Sequence, residues 1–205
     1  MTNFEKNLSR SISEKLGIYE DLQNNVDQIE KISNFIYKKI CSNGKILFCG
    51  NGGSASDAQH LATEFLVRLK PKLNRQSIPA IALTLDTTFL TACGNDFGFN
   101  NIFSRALEGI GNKNDILIAI STSGNSKNIL KVLDKAKKMK IHSICLLGNN
   151  GGLAKKNCND KIIVNSNNVA RIQETHIFLG HTILEHVEQK LIKRKKIKLI
   201  NANSV

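Results

Sequence analysis

Apolar residues fall into two patterns along the chain. Five short runs are continuously apolar or β-branched and bounded by turn residues: 45–50 (KILFCG), 80–85 (AIALTL), 115–121 (DILIAIS), 142–148 (HSICLLG) and 161–166 (KIIVNS). Runs of this length without alternation suit strands buried on both faces, as a parallel sheet requires. Between them, residues 56–69, 100–110 and 127–139 read as helices. Strand therefore alternates with helix, which predicts an α/β fold with a doubly wound sheet.

Two longer helical patterns flank this core. The first carries Leu8, Ile12, Leu16, Leu22, Val26, Ile29, Ile32, Ile36 and Ile40, mostly three or four apart. The last runs over 169–197, with Ile172, Leu179, Ile183, Leu184, Val187 and Leu191 on its apolar face. The first stripe is longer than one small sheet can cover, and a partner subunit packing as a helix bundle would bury it. No internal repeat, linker or low-complexity block interrupts the pattern. The expectation is one domain over 1–205, with a helical arm at 1–42, a sheet core and C-terminal helix at 43–190, and a basic tail at 191–205.

A chain of 205 residues is long enough to bury a real core. No apolar run approaches the ~20 residues of a membrane span, and MTNFEKNLSR shows no signal-peptide pattern. The five cysteines are odd in number and form no C-x-x-C pair, which suits a reducing cytoplasm. The formal charge of +12 is concentrated in Lys190, Lys193, Arg194, Lys195, Lys196 and Lys198 and in a helical set from Lys127 to Lys140. Such clusters are ordinarily solvated faces. No aromatic residues interleave with them, so a nucleic-acid stacking platform is not expected.

Candidate chemistry lies where strands give way to helices. The first strand ends in Gly50-Asn51-Gly52-Gly53-Ser54-Ala55-Ser56. Glycines there permit a sharp turn and close approach to the main chain, and the helix end that follows favours an anion. The loop is neither G-x-G-x-x-G nor a Walker sequence. The third strand ends in Ser121-Thr122-Ser123-Gly124-Asn125-Ser126. One helix cap needs one hydroxyl; this loop supplies four, beside a free helix N-terminus and without an obligatory cation. That combination suits a sugar phosphate at the carboxyl ends of strands. His60 and Glu64 stand four apart on one helical face, a spacing that serves either a metal or a base and its partner. His142 reads as a strand-edge residue and His176 and His186 as helix-surface residues. Physical argument does not separate His181 from its neighbours.

Taken together, G-N-G-G-S-A-S-D-A-Q-H, G-N-D-F-G-F-N at 94–100, S-T-S-G-N-S and R-I-Q-E-T-H-I-F-L-G-H resemble the bacterial sedoheptulose 7-phosphate (phosphoheptose) isomerases. The resemblance keeps motif order through nearly the whole chain. It implies the sugar isomerase (SIS) fold, a five-stranded parallel sheet flanked by helices, assembled as a homotetramer. It implies conversion of sedoheptulose 7-phosphate to D-glycero-D-manno-heptose 7-phosphate, the entry to activated heptose for lipopolysaccharide or capsule. By this resemblance Asn51, Gly52, Gly53, Asn95, Asp96, Ser121, Thr122, Ser123 and Ser126 contact substrate, and Ser54 shares the phosphate-facing loop. His60, Glu64, Gln173 and His181 would bind one zinc ion per subunit, with Glu64 and Gln173 also at the substrate and Glu64 and His181 catalytic.

The residue types suit aldose–ketose isomerisation. A carboxylate can carry a proton between C1 and C2, an imidazole can serve the sugar oxygens, and zinc can polarise the carbonyl. Gln173 and His181 are eight positions apart, roughly 12 Å along a straight helix and ~80° around it. Their meeting on one metal is easier if the helix begins late or if neighbouring subunits complete the site. Two rivals share the fold: a non-catalytic protein that binds the replication initiator, and an isomerase of another phosphosugar. The basic extension after about Lys190 is longer than the resemblance leads one to expect and touches no motif.

Overall fold

The computed structural model describes residues 1–84 and 86–200. Its centre is an all-parallel sheet of five strands, β1 (Ile46–Gly50), β2 (Ala80–Ala82), β3 (Ile116–Ser121), β4 (His142–Gly148) and β5 (Asp160–Val164), in the order β2-β1-β3-β4-β5. The α/β class and the five-stranded parallel sheet are as expected from the apolar runs. Successive strand residues point to opposite faces, and each face has its own core. Ile46, Phe48, Ile116, Ile118, Ile144 and Leu146 pack beneath α1 (Asn3–Gln23), α2 (Val26–Cys41), α3 (Gly53–Leu66) and α8 (Val169–Lys193). Leu47, Cys49, Leu117, Ala119, Cys145 and Leu147 face the other way, toward α4 (Thr87–Phe97), α5 (Ile102–Ile110), α6 (Lys127–Lys138) and the one-turn α7 (Ala154–Asn157).

Several boundaries differ from the sequence reading. The N-terminal arm is two helices, broken at Asn24-Asn25. The second strand stops at Ala82, although Leu83 still donates its amide to Phe48; Leu85 lies outside the described residues. The fifth strand is Asp160–Val164, one residue earlier at its start and two at its end. Helix α3 begins at Gly53 within the glycine turn, and ends at Leu66. Helix α4 was not anticipated; Asp86 caps it by accepting from the Phe89 amide at 2.9 Å. Helix α8 stops at Lys193.

The strand order places β2 and β3 on opposite sides of β1. The connections leaving β1 and β3 therefore diverge, and open a crevice at the carboxyl ends of those two strands, where ligands of open α/β sheets bind. The glycine turn and the serine loop are its two walls.

Candidate active site

The turn after β1 needs its glycines. Gly52 has φ +55° and no side chain to cap α3. A Cβ on Gly50 would stand 2.4 Å from the Ser54 carbonyl oxygen. Ser54 itself is buried, with its Cβ packed close to Gly50. Across the crevice, Asn51 and Asn128 exchange two amide hydrogen bonds of 2.9 and 2.8 Å, which ties the glycine turn to the first turn of α6. Asn128 is buried and also accepts from the Ile129 amide.

In the serine loop, Ser121 accepts from the Gly124 amide at 3.1 Å and Ser123 from the Asn125 amide at 3.2 Å. Two of the hydroxyls thus shape the loop. Ser126 occupies the N-cap position of α6 and makes no side-chain cap bond. Gly124, at φ +65°, lies so close to Gly151 that a Cβ would meet its carbonyl at 2.1 Å. Ala154 donates to the Gly124 carbonyl and Leu153 to the Asn125 side chain, so the 149–153 loop braces the serine loop from behind.

Helices α3 and α8 lie side by side and run in the same direction. Gly53 faces Gln173, where a Cβ would stand 2.3 Å from the amide nitrogen, and Gly180 faces Leu61. The same alignment sets His60 against His181, with their Nε2 atoms 2.9 Å apart and the rings edge-on. Glu64 Oε1 is 3.6 Å from His60 Nε2, while Glu64 Oε2 is buried and has no hydrogen-bond partner. Burial, then the neighbouring His60, lowers the His181 pKa from its ordinary value, and Glu64 opposes that shift. Asp57, one turn before His60, also has a buried, unpartnered oxygen, and burial pushes its carboxyl up to about 6 against the pull of His60.

His60 is therefore brought against both His181 and Glu64, and Gln173 is seated two turns away beside Gly53. Because α8 is continuous from Val169, a late helix start does not bring Gln173 nearer to His181. Two imidazole nitrogens facing each other at hydrogen-bond distance need a proton or a cation between them. An orphaned carboxylate oxygen lies beside them. Imidazole, carboxylate and amide donors fit zinc in chemistry. Among the described residues, no three His, Cys, Asp or Glu side chains are drawn together as a metal cage.

Asn95 and Asp96 sit exposed on the last turn of α4, where Asn95 donates to Asp96 at 2.9 Å. Their described side-chain hydrogen bonds do not reach the serine loop or the histidines. His142 opens β4 and bonds Asp160 at 2.8 Å. His186 is half-buried and lies 3.2 Å from the Asn34 side chain. The surface reading of His176 is corrected: it is fully buried, because α8 lays this face against β4 and the core. The sequence reading missed Asp57, Asn128 and Arg75. Asp57 sits in a quoted motif, but its burial and lack of a partner become visible only when α3 is packed.

The SIS domain profile matches residues 13–148. The phosphoheptose isomerase of Clostridium acetobutylicum is 43% identical over 196 residues, 95% of this chain and 98% of that protein. That of Campylobacter concisus is 51% identical over 145 residues, 71% of this chain and 76% of that one. Among solved structures, phosphoheptose isomerase GmhA from Neisseria gonorrhoeae superposes with a TM-score of 0.84 at 34% identity, covering 91% of this chain and all of that one. A phosphoheptose isomerase from Francisella tularensis gives 0.85 at 34% identity, over 92% of this chain and all of that one.

Proposed function

This chain belongs to the SIS domain family, and from that premise we propose that it acts as a phosphoheptose isomerase, the enzyme its relatives are named for. It interconverts D-sedoheptulose 7-phosphate and D-glycero-D-manno-heptose 7-phosphate, the first step toward activated heptose for lipopolysaccharide or capsule. One observation carries the reading: a carboxylate with a buried, unpartnered oxygen, Glu64, stands beside two facing imidazoles on the helix that begins in the anion-binding turn.

The substrate phosphate lies in the crevice, against Gly52, Gly53, Ser121, Thr122, Ser123 and Ser126, with the N-terminus of α6 aimed at its charge. The Asn51–Asn128 amide pair holds the two walls at fixed separation. Glu64 takes the proton from one carbon of the C1–C2 pair and returns it to the other, on one face of the enediolate. His181, whose lowered pKa keeps its imidazole neutral near pH 7, can accept a hydroxyl proton and return it during ring opening. His60, Glu64, Gln173 and His181 would hold one zinc ion, which when bound supplies Lewis-acid polarisation of the carbonyl.

The site is shared between subunits of a homotetramer. Gly53 and Glu64 are eleven residues apart on α3, about 16 Å of helix rise, which the backward lean of the Glu64 side chain shortens. Asn95 and Asp96, which bond each other and not the crevice loops, would reach a heptose on that path from a neighbouring copy. Phe4, Leu8, Ile12 and Leu16 form an exposed stripe on α1, which supports association. The cytoplasm suits five free thiols, and no described helix is long and apolar enough to cross a membrane. Neither a nucleic acid nor a membrane is a partner in this reading. The direct test is to incubate the protein with sedoheptulose 7-phosphate and follow the aldose by NMR. Aldose formation supports the reading, and no conversion with or without added zinc refutes it.

A further inference from the structure

Glu64 stands in the last turn of α3, two residues before the helix stops at Leu66. The final carbonyls of a helix lack intrahelical donors, and last turns fray. Here a single guanidinium holds two of them: Arg75 Nη2 donates to the Glu64 carbonyl at 2.9 Å, and Nη1 to the Phe65 carbonyl at 2.9 Å. Its positive charge also sits at the negative end of the α3 dipole. The Arg75 side chain is wholly buried and pairs through Nε with Glu188 of α8, which is equally buried. Glu188 lies two turns beyond His181 on that helix. Arg75 thus joins the two helices that carry the catalytic pair.

A buried ion pair is weak evidence for stability, because an apolar pair of similar volume commonly serves as well. What this pair has, and an apolar one lacks, is the fork that fixes two consecutive peptide planes at Glu64 and Phe65. Fixing those planes fixes the direction of the Glu64 Cα–Cβ bond.

Arg75 lies in a stretch without helix or strand between α3 and β2. The basic C-terminal segment secures it. After α8 the chain reverses at Lys195, with φ +54°, and returns alongside residues 74–76. Gln76 donates its amide to the Lys198 carbonyl at 2.8 Å, and Ile200 donates to the Asn74 carbonyl at 3.0 Å, an antiparallel bridge centred on Arg75 and Leu199. Lys198 adds a bond to the Gln76 side chain at 3.3 Å. The extension, which touches no sequence motif, is bound directly to the segment behind the proposed base.

We infer that Arg75 is a positioning residue for Glu64, and that the C-terminal segment 194–200 clamps the Arg75 segment so that the carboxylate is held in register with the substrate. The inference rests on the reading of Glu64 as the base.

The test compares Arg75→Met/Glu188→Leu, Arg75→Lys and Ile200→Pro with the unaltered enzyme, by KM, kcat and exchange of substrate hydrogen with solvent deuterium. The double substitution removes both charges together, so neither is left buried alone, and Ile200→Pro deletes one amide of the clamp at a partly exposed position. A misplacement of ~1 Å can cost on the order of a hundredfold in rate. We expect the double variant to keep its fold and its KM within about twofold, and to lose roughly ten- to a hundredfold in kcat and in exchange on that scale. Arg75→Lys should fall between the two, and Ile200→Pro should lower kcat several-fold with KM unchanged. Unchanged kcat in the folded double variant overturns the role of Arg75. If the double variant does not fold, unchanged kcat in Arg75→Lys overturns it instead. Unchanged kcat in Ile200→Pro overturns the role of the tail. Glu64→Gln run alongside separates the causes: if it retains exchange the base assignment fails, and if it abolishes exchange while the double variant is normal, only the positioning role fails.

Discussion

A histidine with both ring nitrogens buried and unpartnered, as His176 has, is stable only while neutral. Burial is the main cause that lowers its pKa from 6.5 to about 4; the nearby Leu147 backbone opposes this without reaching hydrogen-bond distance, and the Lys15 charge adds to it. In the unfolded chain the ring takes a proton near pH 6.5, whereas the folded protein resists until about 4. Its contribution is therefore complete above pH 6.5 and is lost as the pH falls toward 4. At 1.36 kcal/mol for each tenfold difference, the span is on the order of 3 kcal/mol. His176→Leu should flatten the decline of unfolding free energy between those pH values, measured by denaturant titration against the unaltered protein; an unchanged slope would show that His176 is not the group responsible. At this scale the sequence exposed His60 and Glu64 through their spacing on one helix face. The burial of His176 was legible too, since it stands four after Ile172 and three before Leu179 on the apolar stripe, and only its polar side chain argued for the surface. Asn128 and Arg75 act through partners 77 and 113 residues away, which no local pattern reports.

Between elements, the contact that matters most is α3 against α8. Gly180 makes it possible: a Cβ there would meet the Leu61 side chain at 2.4 and 2.5 Å, and Leu61 is itself buried. Gly180→Ala must part the helices or turn Leu61, at a cost of about 1–3 kcal/mol, and would separate His60 from His181. We expect a lowered Tm together with a loss of isomerase activity. Gly109→Ala on α5, where a Cβ meets nothing within 4 Å, should instead hold or raise stability by ~0.5–1 kcal/mol. Equal effects from the two substitutions would contradict the packing argument. The buried strands were legible because a two-faced parallel sheet demands unbroken apolar runs. Helix α4 was passed over although Phe89, Leu90, Cys93 and Phe97 fall at helical spacing, because Thr87, Thr88, Thr91 and Gly94 among them are weak helix formers. The break at Asn24-Asn25 was hidden because apolar spacing continues on both sides of it.

For the whole molecule, the N-terminal arm divides by burial. Ile32 and Ile36 of α2 are fully buried on the sheet, whereas Phe4, Leu8, Ile12 and Leu16 of α1 are exposed. Such a continuous apolar face marks an association surface. Leu8→Glu/Ile12→Glu should therefore leave each protomer folded by circular dichroism but shift light scattering from the proposed tetramer to smaller species, with activity falling in proportion. An active monomer would remove the shared-site reading. The fold class and the polar turns after β1 and β3 were legible because both follow from strand-to-helix junctions. The docking of the basic tail was not: its residues carry charge without periodicity, and their hold on 74–76 is made by main-chain amides that any sequence could supply.

The central claim is that Glu64 carries the proton between C1 and C2, and solvent exchange tests it most directly. Sedoheptulose 7-phosphate in deuterium oxide, followed by NMR, should acquire deuterium with the unaltered enzyme. With Glu64→Gln, which keeps the size of the side chain and an oxygen ligand, deuterium incorporation should be abolished and should stay absent at high zinc. Deuterium incorporation at the normal rate in Glu64→Gln, or its recovery on adding zinc, would contradict the account.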